Sequence, residues 1–384
     1  MAAPSIPNLL TLKTGNRRAD PRGARERPAA ASTADAAIQA TDTDAAVSRL
    51  SAVRLGYLQD EYAALFVSGP PTRRLPIINR GRLHHSPPSS QTRAWTSDQE
   101  IPIAGTYMRT TALDTMIDAF FSHNDSSPVK QIISLGAGTD TRPLHLLQRP
   151  ASQQQHLVYH ELDFEPTCRR KLATTQASSS LRRIFKDFSL HDDGSWSAEP
   201  SHGGGEYHCH ALDLRQMGKS VTSLPPTIRS DVPTLLLSEC CLCYLTSRDA
   251  DDVLRFFGAR IARLAALLYE PMPLGDAFGD MMISNLRARR IHMPSLDVCR
   301  DQPGQVSRLR RAGFERAGSA TIEKTWEEWV GTREKERVDG LEGLDEVEEW
   351  KLLAGHYVVV WGSRGDVTFG MPDGGGHIIP PLLP

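Results

Sequence analysis

Residues 131–144, QIISLGAGTDTRPL, decide the fold. Residues 131–135 form a short β-rich run, and Gly136-Ala137-Gly138 ends it. Glycines at the end of a strand let the backbone approach a ligand without a clash at Cβ. The segment is not G-x-G-x-x-G, because Thr141 stands where the third glycine would be, so the helix start is less suited to a close pyrophosphate. Taken alone, the turn is compatible with a nucleotide-like ligand or with a plain tight turn.

Strand-like and helix-like segments alternate through the chain around this stretch. Further β-rich runs cover residues 157–162, 207–212, 234–245, 265–269 and 356–361, and helical patterns cover residues 165–175, 247–264, 278–289, 323–329 and 344–353. Such alternation predicts an α/β fold with a Rossmann-like, doubly wound, mostly parallel sheet. By analogy between folds, residues 177–206 and 272–300 are expected to form an added helical cap.

The two ends of the chain predict tails outside the folded domain. Residues 1–45 are rich in Ala, Arg, Ser, Thr and Asp, with few large apolar side chains, which is typical of a disordered tail. Residues 365–384 are rich in Gly and Pro and are expected to form a flexible C-terminal tail. The folded domain is therefore predicted over residues 46–364, and removal of residues 1–45 is expected to leave activity nearly intact.

Composition and charge exclude several classes of protein. The chain has 384 residues, with 44 basic and 46 acidic side chains and a net charge of −2, so a chain-wide grip on a nucleic acid is not expected. No apolar run approaches the ~18 residues of a membrane span, and the N-terminus lacks the apolar core of a secretory signal. A cytoplasmic protein without a membrane partner is expected, with the nucleus as a second location.

The cysteines point to a reducing compartment. Cys240, Cys241 and Cys243 lie in one apolar run, too close together for a disulfide framework. On a strand, Cys241 and Cys243 would share a face while Cys240 points away, and no paired ligand set follows. His208 and His210 likewise have no third ligand near them in the sequence. Core packing is expected for these side chains, and no metal site.

Carboxylates stand where three of the predicted strands end, and in doubly wound sheets ligands lie beyond these strand ends. Asp163 could accept both hydroxyls of a ribose, with a helix N-cap or a solvated strand end as the alternative. Asp213 could accept an adenine amino group while Leu214 packs on the ring, or it could be a plain loop carboxylate. Glu239 interrupts an apolar run, which is costly unless the carboxylate is paired, and an ammonium group is one natural partner.

Together these positions describe a ligand with an adenine, a ribose and an amino-acid end, and without a diphosphate. S-adenosylmethionine (SAM) fits this description better than NAD does. The sequence therefore predicts a class I SAM-dependent methyltransferase, with SAM as its co-substrate.

The sequence resembles the leucine carboxyl methyltransferases over roughly residues 47 to 364. This family methylates the C-terminal leucine of the catalytic subunit of protein phosphatase 2A. LGYLQDEYAALFV at 55–67 and TYMRT at 106–110 are similar to its N-terminal pieces. The combination of LGAGTDT at 135–141, SECCLCYLT at 238–246 and GDAFGDMMISNL at 275–286 is specific, whereas any single piece is not.

The resemblance implies SAM contacts at positions already singled out: Gly136, Asp163, Asp213, Leu214 and Glu239. It adds Arg109, and less directly Arg49, as cations that could hold the carboxylate of SAM or of the substrate. Without the family, both would be interpreted as surface arginines. Tyr244 could line the channel for the substrate peptide, or it could be a core aromatic residue.

One segment departs from the family. Here the 24 residues 82–105, RLHHSPPSSQTRAWTSDQEIPIAG, separate Gly81 from Thr106, whereas the family runs straight from one piece into the next. The segment is turn-rich and lacks apolar periodicity. Our hypothesis is a retained intron in the gene model, which an in-frame cDNA containing the segment would refute. As part of the protein, the segment would lie beside Arg109 and could disturb the site.

The activity that the resemblance implies is methyl transfer from SAM to the α-carboxylate of the terminal leucine of the phosphatase catalytic subunit, which regulates phosphatase assembly. An α-carboxyl group has a pKa of about 3.3–3.7, so it is an anion at neutral pH and no acid or base catalyst is expected. The phosphatase catalytic subunit is the expected partner, and the protein is expected to be a monomer. The alternatives are a tRNA-modifying or small-molecule methyltransferase of the same superfamily, or a catalytically impaired SAM-binding protein.

Overall fold

The computed structural model describes residues 33–67, 97–122, 127–149, 156–202, 204–341 and 347–369. Within these ranges the chain forms one nine-stranded sheet with helices on both faces. The strands are β1 (Val129–Leu135), β2 (His156–Asp163), β3 (Phe185–Leu190), β4 (Trp196–Pro200), β5 (Gly205–Ala211), β6 (Thr234–Glu239), β7 (Leu264–Pro271), β8 (Arg316–Thr321) and β9 (Tyr357–Arg364).

Eleven α-helices accompany the sheet in the described ranges. They are α1 (Thr33–Arg54), α2 (Ser97–Ser122), α3 (Arg142–Leu146), α4 (Glu165–Ala177), α5 (Leu181–Ile184), α6 (Ser247–Gly258), α7 (Ala277–Ala288), α8 (Gln302–Arg311), α9 (Ile322–Trp329), α10 (Thr332–Asp339) and α11 (Val347–Gly355). None of these helices is both long enough and apolar enough to cross a lipid bilayer.

The strand order is β3-β4-β5-β2-β1-β6-β7-β9-β8, and the five central strands from β5 to β7 are all parallel. The chain winds from β1 outward through β2 and β5, then returns to β6 on the other side of β1 and continues to β7. The point where the winding reverses lies between β1 and β6, and in open α/β sheets this point is where ligands bind. The predicted doubly wound, mostly parallel α/β fold is confirmed.

Both faces of the central strands are buried because successive side chains enter two different cores. Ile132 packs in the core formed with α2, α3, α9 and α11, and Ile133 packs in the core formed with α6 and α8. Thr246 caps α6 by accepting a hydrogen bond from the amide of Asp249. β7 is buried along its whole length.

The predicted tail boundaries are wrong at both ends of the domain. Helix α1 begins at Thr33, so residues 33–45 belong to the fold rather than to a disordered tail. At the other end, Val367 and Phe369 are buried, so the fold continues past the predicted boundary at residue 364. The rest of both predicted tails, residues 1–32 and 370–384, lies outside the described residues.

Two other segments also differ from their predictions. Residues 177–206 do not cap the sheet, because β3 and β4 extend it as an antiparallel edge beside β5. Residues 97–105 of the departing segment form the first part of α2, the helix that also carries Arg109. Residues 82–96 lie outside the described residues, so the retained-intron hypothesis stays a prediction.

The cysteine-rich run is shorter as a strand than its sequence predicts. β6 ends at Glu239, and the chain then turns through a 3-10 helix at Leu242–Tyr244, so the predicted strand alternation of the cysteines is wrong. Within the described residues, all six cysteines are free thiols and no cluster of His, Cys, Asp or Glu has the arrangement of a metal site.

Candidate active site

A cavity of about 330 Å³ lies beyond the carboxyl ends of the central strands. The loops after β1, β2, β5 and β6 form its floor, and α1, α2, α7 and α11 contribute its walls. All seven residues predicted to contact SAM line this cavity: Arg49, Arg109, Gly136, Asp163, Asp213, Leu214 and Glu239. Within residues 272–300, α7 and the chain after it line the cavity with Leu286, Arg289, Ile291 and Met293.

The loop after β1 exposes its backbone to the cavity because it has no side chain at two positions. Gly136 has a φ of +60°, and a Cβ there would lie 2.5 Å from Sγ of Cys241. Gly138 has a φ of +51°, and a Cβ there would collide with the carboxylate of Asp42. Both the left-handed backbone and the lack of space require glycine, so the loop is more than a plain tight turn.

Asp163 is held in place by two backbone amides at the end of β2. Its Oδ2 accepts a hydrogen bond from the amide of Gly138 (2.8 Å), and its Oδ1 accepts one from the amide of Phe164 (2.7 Å). Phe164, not Asp163, occupies the N-cap position of α4. Each oxygen keeps a second lone pair that can accept a ribose hydroxyl from the cavity.

Asp213 combines the predicted and the alternative roles. Its carboxylate lines the cavity and also caps the 3-10 helix Leu214–Gln216 by accepting from the amide of Arg215. The guanidinium of Arg215 holds both oxygens of Asp213, at 2.9 Å from Oδ1 and 2.8 Å from Oδ2, and also pairs with Asp35 of α1. The buried Leu214 gives this end of the cavity an apolar wall beside a carboxylate, as an adenine ring requires.

Glu239 lies between two guanidinium groups at the end of β6. Its Oε1 is 2.7 Å from Nε of Arg109, and its Oε2 is 2.6 Å from Nη1 of Arg142. Burial alone would raise the pKa of Glu239, but Arg142 and Arg109 outweigh burial and lower the pKa to about 2. The predicted cost of a carboxylate in this run is therefore offset by arginines. Glu239 stays a full negative charge facing the cavity, and each oxygen can accept one more donor.

Arg49 and Arg109 are not surface residues. The side chain of Arg49 is 11% exposed and lies 3.4 Å from Asp60 and 3.7 Å from Asp140. The side chain of Arg109 is 17% exposed and lies beside Glu239. Both arginines line the cavity together with Glu239, where the family resemblance leads one to expect them.

Tyr244 also lines the cavity and is half-buried. Burial raises the pKa of its phenol, so it is a neutral hydrogen-bond donor at physiological pH. Two further tyrosines that the sequence analysis did not single out, Tyr269 and Tyr357, line the cavity with their rings stacked 5.4 Å apart.

Sequence reasoning missed the polar residues that hold the site together. Asp42 of α1 accepts hydrogen bonds from the amide (2.7 Å) and the hydroxyl (2.8 Å) of Thr139 in the glycine loop. Asp60 accepts a hydrogen bond from Thr141 and pairs with Arg49. Arg142 is inside the stretch that decides the fold, and a buried arginine directly after a glycine loop could have been noticed. Asp42 had no such signal, because it lies in the presumed tail.

The residues of this cavity fit SAM. The bare glycine loop leaves room for a ligand, Asp163 presents acceptors for a ribose, and Leu214 with Asp213 suits an adenine. Glu239 and the arginines beside it suit the ammonium and carboxylate of an amino acid. A doubly wound sheet with this set of groups at its switch point defines a class I SAM-dependent methyltransferase.

Comparison with known proteins narrows this class to a family. The leucine carboxyl methyltransferase family model matches residues 37–258. Leucine carboxyl methyltransferase 1 of Emericella nidulans is 41% identical, over 96% of this chain and 96% of that protein. The protein of the same name from Yarrowia lipolytica is 34% identical, over 86% and 98%. A homologue from Arabidopsis thaliana is 32% identical, over 88% and 95%.

The chain belongs to the leucine carboxyl methyltransferase family. It is a SAM-dependent carboxyl methyltransferase, and the prediction of SAM as its co-substrate is confirmed. Among solved structures, a DUF574 family protein from Streptomyces avermitilis shares 13% identity, with a TM-score of 0.42 over 70% of this chain and 90% of that chain.

Proposed function

We propose that this protein transfers the methyl group of SAM to the α-carboxylate of the C-terminal leucine of the protein phosphatase 2A catalytic subunit, and so regulates phosphatase assembly. The observation that supports this substrate is a set of apolar residues that line the cavity together with the strand-end loops. They are Leu286, Ile291, Met293, Ile322, Trp350 and Leu353. An aliphatic side chain fits such a lining, and Glu239 and Arg109 of the same cavity mark the end where methyl transfer takes place.

Methyl transfer to a carboxylate requires the protein to align the two reactants and to exclude water from the site. When bound, SAM supplies an electrophilic methyl group on a positively charged sulfur. The accepting carboxylate is already ionised at neutral pH, so the site needs no general base. Among the described residues that line the cavity there is no histidine and no lysine. What the chain contributes is alignment of the two reactants and removal of water from the carboxylate.

Arg109 and Tyr244 are the side chains best placed to orient that carboxylate. Arg109 lies at the cavity wall with its guanidinium 5.8 Å from the ring centre of Tyr269, and one edge of it is engaged by Glu239. Tyr244 is a neutral donor on the chain segment directly after Glu239. A carboxylate held by these two groups would lie beside the methionine end of SAM, which is the geometry that transfer requires.

The test is transfer of labelled methyl from SAM to purified phosphatase 2A core enzyme. We expect label on intact phosphatase and none on phosphatase that lacks its terminal leucine. The label should be released by mild alkali, because a carboxyl ester is hydrolysed there and an amide is not. A Tyr244→Phe variant should retain SAM binding but transfer more slowly.

Three results would contradict the proposal. Label on the truncated phosphatase would place the acceptor elsewhere. Label on tRNA or on a small carboxylic acid, with none on phosphatase, would favour the alternative methyltransferases of the superfamily. SAM binding by calorimetry without transfer to any of these acceptors would favour a catalytically impaired protein.

A further inference from the structure

Arg142 connects more acidic groups around the site than the other arginines described above. Its side chain is 5% exposed at the first position of α3. It lies 2.6 Å from Asp114 of α2, 3.1 Å from Asp140 of the glycine loop and 2.6 Å from Glu239 of β6. It does not line the cavity, so it stands behind Glu239 rather than beside a ligand.

Arg142 and Arg109 contact different oxygens of the Glu239 carboxylate. Each guanidinium takes one carboxylate oxygen, so the plane of the carboxylate is fixed by two helices and cannot turn without breaking one pair. Arg142 has a further link to the glycine loop through Asp140, which also faces Arg49 of α1. A single buried side chain therefore ties the loop under the nucleoside to the acidic group at the amino-acid end.

The charge on Glu239 also depends on these cations. The groups that face it are Arg109 from α2, Arg142 from α3, Arg49 from α1, Cys240 from its own segment and Tyr269 from β7. Burial opposes ionisation of the carboxylate, and the arginines overcome this opposition. Removal of Arg142 leaves Arg109 as the one partner in direct contact, so the pKa of Glu239 is expected to rise.

We propose that Arg142 is a positioning residue for SAM, which acts by holding Glu239 in the orientation that accepts the ammonium group of the methionine end. Arg142 does not touch the ligand in this arrangement. It affects binding by orienting Glu239, and its ion pair with Asp140 fixes the position of the glycine loop relative to that carboxylate.

The experiment measures binding rather than turnover. Calorimetric titration with S-adenosylhomocysteine, which has the same ammonium and carboxylate but no sulfonium, is carried out at pH 5.5, 6.5 and 7.5. The variants are Arg142→Gln and Arg142→Lys. Arg149→Gln is the matched control, because Arg149 also pairs with an aspartate of α2 (Asp118, 2.9 Å) but is 38% exposed and away from Glu239.

We expect Arg142→Gln to weaken binding roughly 10- to 100-fold at pH 7.5, as for loss of a charged hydrogen bond. Its affinity should fall further towards pH 5.5, because Glu239 takes up a proton there and no longer attracts an ammonium. Wild type and Arg149→Gln should show no such extra fall. Arg142→Lys should recover part of the affinity and the flat pH profile.

A double-mutant cycle separates positioning from a purely structural role. If Arg142 acts through Glu239, then Glu239→Gln and Glu239→Gln with Arg142→Gln should bind with nearly equal affinity. Additive losses in the cycle would overturn the proposal. So would an Arg142→Gln variant that binds as tightly as wild type, or one whose loss of affinity is the same at every pH. Should Arg142→Gln fail to fold, the same comparison is made with Arg142→Lys.

Discussion

Gly136 is the residue at which the first central strand, the cavity and the segment after β6 meet. Its left-handed φ and the 2.5 Å gap between a would-be Cβ and Sγ of Cys241 are independent reasons for glycine. We expect Gly136→Ala to lose about 1–2 kcal/mol from the backbone conformation alone. The overlap with Cys241 should add to this loss and push the loop into the cavity.

Gly218→Ala is the control for this change. Gly218 has a φ of +76° but no atom within 4 Å of a would-be Cβ, so this variant isolates the backbone strain from the overlap. Thermal unfolding and titration with SAM measure the two effects. Gly136→Ala should lower both the melting temperature and SAM affinity, whereas Gly218→Ala should lower only the melting temperature. Equal SAM affinity in the two variants would show that the loop does not contact the ligand.

At the residue scale, the positions of the ligand-facing groups could be predicted from sequence, and their partners could not. Asp163, Asp213 and Glu239 follow parallel strands, whose carboxyl ends meet at one edge of the sheet by geometry. The pair of Glu239 with Arg142 joins residues 97 positions apart on elements whose mutual orientation depends on the whole packing. The ammonium partner proposed for Glu239 was therefore incomplete, because two guanidiniums already lie against that carboxylate.

At the scale of elements, α1 is the least expected part of the site. Residues 1–45 have few large apolar side chains, which is why their composition predicts a tail, and α1 itself has little amphipathic periodicity. The part of the helix before residue 46 is held by polar contacts with distant parts of the chain. Asp42 binds Thr139 of the glycine loop, Asp44 pairs with Arg289, and Asp35 pairs with Arg215.

These contacts of α1 argue against the prediction that residues 1–45 are dispensable for activity. We expect a protein that begins at residue 46 to bind SAM at least about tenfold more weakly, because it loses two charge-assisted hydrogen bonds at the glycine loop. A protein that begins at residue 33 is the control and should bind SAM as the full chain does. Calorimetry on both proteins decides the question, and equal affinities would show that α1 does not support the site.

The edge strands β3, β4 and β8 were not predicted from the sequence, for a related reason. β8, with the sequence RAGSAT, has no apolar alternation and is a strand because β9 pairs with it. β3 and β4 lie within residues 177–206, which were expected to form part of a helical cap, although Trp196 and Phe185 alternate with polar residues and pack in the core. Central strands have a strong sequence signal because both faces are buried, and edge strands do not.

At the scale of the whole molecule, one buried carboxyl group should shape the pH dependence of stability. Glu270 in β7 is fully buried, and burial raises its pKa to about 7 although Arg308 opposes this. In the unfolded chain a glutamate has a pKa of about 4.3. The folded state thus binds the proton more tightly than the unfolded state does. The contribution of Glu270 to the free energy of unfolding is therefore most favourable below the unfolded pKa, and it declines as pH rises to about 7.

We expect Glu270→Gln to remove this decline. Between pH 5 and pH 8 the free energy of unfolding of the variant should gain about 2–3 kcal/mol relative to wild type. Denaturant unfolding at the two pH values measures this difference. Glu328→Gln, at an exposed glutamate of α9, should follow wild type. A Glu270→Gln variant that keeps the wild-type pH dependence would mean that Glu270 is ionised in the folded protein.

The position of α1 has a consequence for how the protein is made. Of the elements that the structure describes, α1 is translated first, yet two of its partners are translated much later: Asp44 pairs with Arg289, and Asp35 pairs with Arg215. Tyr357 of the last strand also lines the cavity. A nascent chain therefore has no complete nucleoside pocket until nearly all of it has been translated. The methyl donor can therefore stabilise the fold only at a late stage of synthesis, when the segments that complete the pocket have been made.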